Sequence, residues 1–207
     1  MSVLLINGSP RPKGCTFTAL SIVANQLEKN GLQTQLVQLG AQPVRDCISC
    51  YKCAKTGQCV FKDDQVNELV DTLAGAEALV VGSPVYYAGP NASICALLNR
   101  VFFMKSSKYA FKPAAAVVSC RRGGASASFD RLNKYFTIAR MPVVASQYWN
   151  SVHGNTPDEV MQDKEGLQVM RALGDNMAWL VKCIAAGKAA GINTPTPESW
   201  EATNFIR

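Results

Sequence analysis

Val3-Leu4-Leu5-Ile6-Asn7-Gly8-Ser9-Pro10-Arg11-Pro12-Lys13-Gly14-Cys15-Thr16 is the stretch that decides the fold. Its first five residues form an apolar run of strand length, and the glycines that follow permit a tight turn. From Thr16 to Asn30 the apolar positions take on helical periodicity, and Gly31 closes the segment. A helix that starts directly after such a turn offers unpaired N–H groups and a positive dipole end. Ser9 and Thr16 add hydroxyl donors, and Arg11 adds a planar, permanently charged fork. The loop is therefore an anion site. The pattern G-x-G-x-x-G is absent, and counting a G-x-x-x-x-G-K-[ST] motif from Gly8 puts Lys13 where the second glycine belongs. A hydroxyl-rich loop of this kind suits a terminal monophosphate such as that of FMN.

Outward from this opening, strand-length and helical segments alternate. Leu32 to Gln38 reads as a half-buried edge strand, and Asp63 to Ala74 as a helix whose two leading carboxylates suit its positive end. Glu77 to Gly82 is a largely apolar run, as expected of a strand covered on both faces. A helix from Asn91 to Met104, a strand from Pro113 to Ser119 and a helix from Ala125 to Arg140 follow. The last expected strand is Val143 to Gln147, and the last helix Asp158 to Gly187. Five strands each followed by a helix imply an α/β fold with a parallel sheet and helices on both faces. Without a linker, repeat or low-complexity tract, residues 1–207 are expected to form one domain. Its long insertion loop, at about residues 39–62, carries a cysteine cluster.

Ligands of open α/β sheets bind beyond the C-terminal strand ends, where strand order reverses, so the neighbouring loops matter. After the third strand comes Gly82-Ser83-Pro84-Val85-Tyr86-Tyr87-Ala88-Gly89-Pro90. Its prolines restrict the backbone, Gly89 can take an unusual conformation, and two aromatics can flank a flat heterocycle. The plainer alternative is that Tyr86 and Tyr87 pack at a sheet edge. After the fourth strand comes Ser119-Cys120-Arg121-Arg122-Gly123-Gly124-Ala125-Ser126, a second glycine-bearing turn into a helix.

These motifs resemble the NADPH-dependent FMN reductase family of the flavodoxin-like superfamily. Gly8-Ser9-Pro10-Arg11 with Gly14 and Thr16 is similar to its phosphate motif, and Gly82-Ser83-Pro84-Val85-Tyr86 to its isoalloxazine loop. The likeness extends to Gln147-Tyr148-Trp149-Asn150, to Val152-His153-Gly154, and to the tail Thr203-Asn204-Phe205-Ile206-Arg207. The resemblance implies a flavodoxin-like three-layer sandwich whose five parallel strands run in the order 2-1-3-4-5. It implies that Ser9, Arg11, Lys13, Cys15 and Thr16 hold the FMN phosphate, and that Pro84, Val85, Tyr86 and Tyr87, with Ser119, Arg121, Arg122, Gly123 and Gly124, border the ring. Cys15 departs from the Asn that relatives often carry, and a backbone N–H can serve in its place. The family also implies homodimers or homotetramers with the flavin near an interface, where Trp149 and His153 can act. His153, the only histidine, is the one candidate for acid–base work, although a hydrogen-bonded loop histidine is the commoner case.

Cys47, Cys50, Cys53 and Cys59 give C-x2-C-x2-C-x5-C. Four thiolates at this spacing can close around a [4Fe–4S] cube, and the pattern resembles that of iron–sulfur flavoproteins in the same superfamily. Free thiols, disulfides and zinc remain open alternatives, and Lys52, Lys55 and Lys62 are expected to favour thiolates.

Composition narrows the class. The chain has 207 residues, 48% hydrophobic and 17% charged, which suits a folded globular protein. The net charge of +6 is spread over scattered Lys and Arg, with Arg121-Arg122 the only adjacent basic pair, so a nucleic-acid face is not expected. No run is long enough to span a membrane, and the start lacks a basic leader, so a cytoplasmic protein is expected. The first functional reading is an NAD(P)H-dependent oxidoreductase passing electrons through FMN to a quinone or other small acceptor. The second is an electron carrier joining a ferredoxin-like partner to FMN through the cluster. A redox-sensing module built on the cysteines is a third.

Overall fold

The computed structural model describes residues 1–199 and 201–203; of the tail motif, positions 204–207 lie outside the described residues. The strands β1 (Ser2–Asn7), β2 (Gln33–Gln38), β3 (Ala78–Tyr86), β5 (Ala114–Cys120) and β6 (Ser151–His153) lie side by side in the order β2-β1-β3-β5-β6, all parallel. With β4 (Gly89–Pro90) set aside as a short antiparallel return on β3, this is the expected order. Residues Val3 to Asn7 of β1 stand opposite Ala78 to Gly82 of β3, so the two strands reach the ligand edge of the sheet together.

Both faces of the sheet are covered, which explains why β1, β3 and β5 read as continuous apolar runs. On one face Val3, Leu5, Val80, Val117 and Val152 pack under α1 (Cys15–Lys29) and α7 (Lys164–Ala189). On the other, Leu4, Ile6, Leu79, Val81 and Val118 pack under α3 (Val66–Gly75), α4 (Ala92–Lys105) and α5 (Ala125–Ile138). The short helices α2 (Lys52–Thr56) and α6 (Pro157–Val160) lie in the two long connections. This is a flavodoxin-like three-layer sandwich. Among the described residues no helix is long and apolar enough to cross a membrane.

Three expectations need correction. Residues 143–147 do not form the last strand. The chain touches β5 there only through the Ala114–Val143 bridge, then turns away where the Ser146 hydroxyl donates to the Tyr148 carbonyl (2.6 Å). It returns for β6 at Ser151–His153, and it is the deeply buried Val152 that completes the core. The second long helix starts at Val66 rather than Asp63, because both carboxylates face arginines: Asp63 pairs with Arg45 and Asp64 with Arg100. The final helix is two. Asp163 Oδ1 accepts from the Gly166 N–H (2.9 Å) and starts α7 afresh after α6.

Candidate functional site

The turn after β1 is built on buried polar side chains. Asn7 Oδ1 accepts from the Ser9 N–H (3.1 Å), Asn7 Nδ2 donates to Gln38 Oε1 (2.5 Å), and Gln38 Nε2 returns to the Ser9 carbonyl (2.6 Å). Ser9 Oγ accepts from the Arg11 N–H (3.1 Å), leaving its own proton free to donate. Gly14 stands at the N-cap of α1 without a side-chain cap, and no acidic residue occupies the first turn. The orphan N–H groups and dipole of that turn thus meet no competing anion from their own helix. Arg11 and Lys13 are exposed beside them.

Four loops meet at this edge. The Gly8 N–H donates to the Gly82 carbonyl (2.9 Å), and a Cβ on Gly82 would lie 2.8 Å from the Thr16 methyl, so glycine lets β3 approach the start of α1. Thr16 Oγ1 and Ser119 Oγ are 2.8 Å apart in the buried layer, tying the first loop to the end of β5. The Cys15 thiol donates to the Gly154 carbonyl (3.7 Å), and the Gly154 N–H donates to the Cys120 carbonyl (3.1 Å). Burial pushes the Cys15 and Cys120 thiols up, so both favour the neutral form.

Beyond β3 the chain makes a two-residue hairpin, with Val85 opposite Pro90 and Tyr86 opposite Gly89. Its central residues, Tyr87 (φ 48°) and Ala88 (φ 59°), take the left-handed conformation expected here of Gly89, which does not adopt it. Tyr86 and Tyr87 are exposed rather than packed at a sheet edge, while Pro84 and Val85 are half-buried. The hairpin rests on Gly124 (φ +89°), where a Cβ would lie 2.7 Å from Ala88 Cα. Arg121, Arg122 and Gly123 stand exposed next to it. His153 is 50% exposed; its N–H donates to Asp163 Oδ2 (2.7 Å), and its Nδ1 lies 3.6 Å from the same oxygen. Tyr148 and Trp149 pair their rings at 4.9 Å nearby.

The cysteine segment is wound tightly, with Ser49 (φ 51°) and Tyr51 (φ 56°) left-handed. Cys47, Cys50, Cys53 and Cys59 line one small pocket together with Ile48, Tyr51, Val60, Phe61 and residues of α4. Among the described residues no three potential ligands gather around a single-ion position. Burial raises the Cys53 thiol, and Cys47, Cys50 and Cys59 push it the same way. The cation that reaches a cysteine sulfur is Arg100, whose Nε donates to Cys59 Sγ (3.2 Å); Lys52, Lys55 and Lys62 are exposed.

A family model described as NADPH-dependent FMN reductase matches residues 1–156. The chain belongs to that family. An iron–sulfur flavoprotein of Methanocaldococcus jannaschii is 31% identical over 194 residues, covering 89% of this chain and 99% of the relative. Among solved structures, RosB with its bound intermediate 8-demethyl-8-formylriboflavin-5'-phosphate superposes with a TM-score of 0.73 at 15% identity, across 100% of this chain and 94% of that one. A flavodoxin-type WrbA-like protein from Agrobacterium tumefaciens gives 0.63 at 14% identity, across 88% and 97%. At such identities the two structures speak for the fold.

Membership in the FMN reductase family makes the chain a flavin oxidoreductase. The edge described above fits FMN on chemical grounds: an uncapped, acid-free helix start for a phosphate, a hydroxyl-lined floor, and an aromatic hairpin at the rim. Asn7, Gln38, Asn99 and Arg100 escape a reading of the sequence. Arg100 had the clearest signal, a charge inside the apolar run Ala96-Leu97-Leu98-Asn99-Arg100-Val101-Phe102.

Proposed function

We propose that the chain is an FMN-dependent oxidoreductase that holds the flavin phosphate on the loop at 8–16 and a [4Fe–4S] cluster on Cys47, Cys50, Cys53 and Cys59. The observation that carries the flavin reading is the meeting of four strand-end loops around an uncapped helix start flanked by Arg11 and Lys13. Backbone N–H groups of the α1 first turn, the Ser9 hydroxyl and the Arg11 guanidinium donate to the phosphate. Pro84 to Tyr87 and Arg121 to Gly124 border the ring, with Gly124 keeping the two loops in register. When bound, FMN accepts electrons in pairs or singly and so supplies the redox chemistry, leaving the protein to orient donor and acceptor. His153 is held through its backbone by Asp163 and serves to position the loop after β6.

The cluster reading rests on the C-x2-C-x2-C-x5-C spacing and on the four cysteines lying in one segment of the chain. Zinc draws four sulfurs to about 2.3 Å from one point, whereas a cube offers four separate iron corners to thiolates spread around a cavity. All four cysteines of the C-x2-C-x2-C-x5-C run line the same pocket, so one group could draw on all of them. A bound cluster supplies one-electron transfer, so a ferredoxin-like protein donor fits this reading. The family's description supports NADPH as a second donor; Arg121 and Arg122 are exposed to meet the phosphates of NADPH or NADH, and a quinone or other small electrophile is the acceptor proposed for this route.

The test is anoxic mixing of the purified protein with NADPH, NADH or reduced ferredoxin while following the flavin's visible band. Bleaching by ferredoxin alone supports the carrier, and rapid bleaching by a nicotinamide supports the reductase. Protein that takes up no flavin on reconstitution contradicts both.

A further inference from the structure

Arg100 lies in the middle of α4 with 1% of its surface exposed. A buried guanidinium is tolerated only if its donors find acceptors. Its Nη1 and Nη2 fork onto Asp64, the latter at 3.1 Å, and Nη1 also donates to the Arg45 carbonyl (3.1 Å). Asp64 already balances its charge. Its Nε donates to Cys59 Sγ at 3.2 Å. A neutral thiol is a weak acceptor, while an anionic sulfur is a strong one. The Phe61 ring lies 5.1 Å from the guanidinium carbon and closes the site on that side.

The preceding residue grips the other end of the segment. Asn99 Nδ2 donates to Asp46 Oδ1 (2.8 Å), and the same oxygen accepts from the Cys47 N–H (2.6 Å). Two consecutive residues of α4 thus hold the first and last cysteines of the motif. The N-cap of the same helix is Asn91, whose N–H donates to the buried Ser83 Oγ (2.9 Å) in β3, just before the hairpin. Arg100 stands nine residues further on, about 13 Å along the axis at 1.5 Å per residue.

We propose that Arg100 is a positioning residue for the cluster: its Nε–H orients the Cys59 sulfur and stabilises the reduced cluster at that corner. This rests on the cluster reading above. Hydrogen bonds to the sulfurs and net local charge set the potential of such clusters, so removing the donor makes the cluster harder to reduce. Removing the negative partner, Asp64, makes it easier.

The experiment is an anoxic spectroscopic redox titration of the reconstituted full chain, with iron and sulfide analysis alongside. Arg100→Lys keeps a cation for Asp64 but loses the planar fork. It is expected to retain the cluster and to lower the one-electron reduction equilibrium at least tenfold, about 59 mV. Asp64→Asn is expected to shift the potential in the opposite direction. The double variant Arg100→Met with Asp64→Leu leaves no unpaired charge and is expected to shift as Arg100→Lys does. Cluster-bearing variants with the wild-type potential overturn the proposal and leave the cluster reading intact. Wild-type protein without iron and sulfide overturns both.

Discussion

The Tyr135 hydroxyl accepts from Arg131 Nη2 (2.8 Å) and donates to Asn99 Oδ1 (2.5 Å), so it supports the helix residue that holds Asp46. Burial pushes its ionisation up to about 12. An unfolded tyrosine ionises near 10, so the raised value contributes stability that is complete below about pH 10 and lost as pH rises towards about 12. Urea midpoints are expected to fall across that window. Tyr135→Phe should soften the fall without abolishing it, because burial also raises Tyr109. Arg11 gives a second prediction at this scale. A hydrogen bond to a charged group contributes about 1.5–3 kcal/mol, so Arg11→Ala is expected to weaken FMN binding roughly 10- to 100-fold and to leave riboflavin binding unchanged. Fluorescence titration of the apoprotein with each flavin checks it. The turn before α1 that carries Ser9 and Arg11 was legible as local structure. Asn7 and Arg100 were not, because their partners, Gln38, Asp64 and Cys59, are remote in sequence and only the fold brings them near.

At the scale of elements, the hairpin at 85–90 carries the strain. A left-handed residue with a side chain costs roughly 1–2 kcal/mol, and the hairpin holds two in a row, Tyr87 and Ala88. Ala88→Gly is expected to raise stability by about 1 kcal/mol, seen as a higher denaturant midpoint at unchanged slope. Gly124→Ala works the other way. Its Cβ would meet Ala88 Cα at 2.7 Å, so the hairpin and the loop after β5 must separate; if they border the flavin ring as proposed, FMN affinity should fall in the same titration. The hairpin was not legible as a hairpin, since neither Tyr87 nor Ala88 is a residue that favours its turn. The last strand was misplaced for a related reason. Val143-Val144-Ala145 has the right composition, but the turn at Ser146 to Tyr148 removes it from the sheet and gives the position to Ser151–His153.

At the scale of the molecule, the parallel sheet was legible because burial on both faces writes β1, β3 and β5 as apolar runs between amphipathic helices. Parallel strands with register Asn7 opposite Gly82 and Pro84 opposite Ser119 then bring their exit loops to one edge, whatever the details of each loop. The long cysteine connection announced itself by length and spacing, while its attachment to α4 rests on tertiary contacts. On the proposed reading, this edge recognises a flavin through its phosphate. The most direct measurement is the affinity of the apoprotein for FMN against riboflavin, by quenching of flavin fluorescence. Several charge-assisted bonds of about 1.5–3 kcal/mol each predict one FMN per chain and riboflavin at least ~100-fold weaker. Equal affinity for the two flavins, or no binding of either, would rule out recognition of a flavin phosphate at this edge.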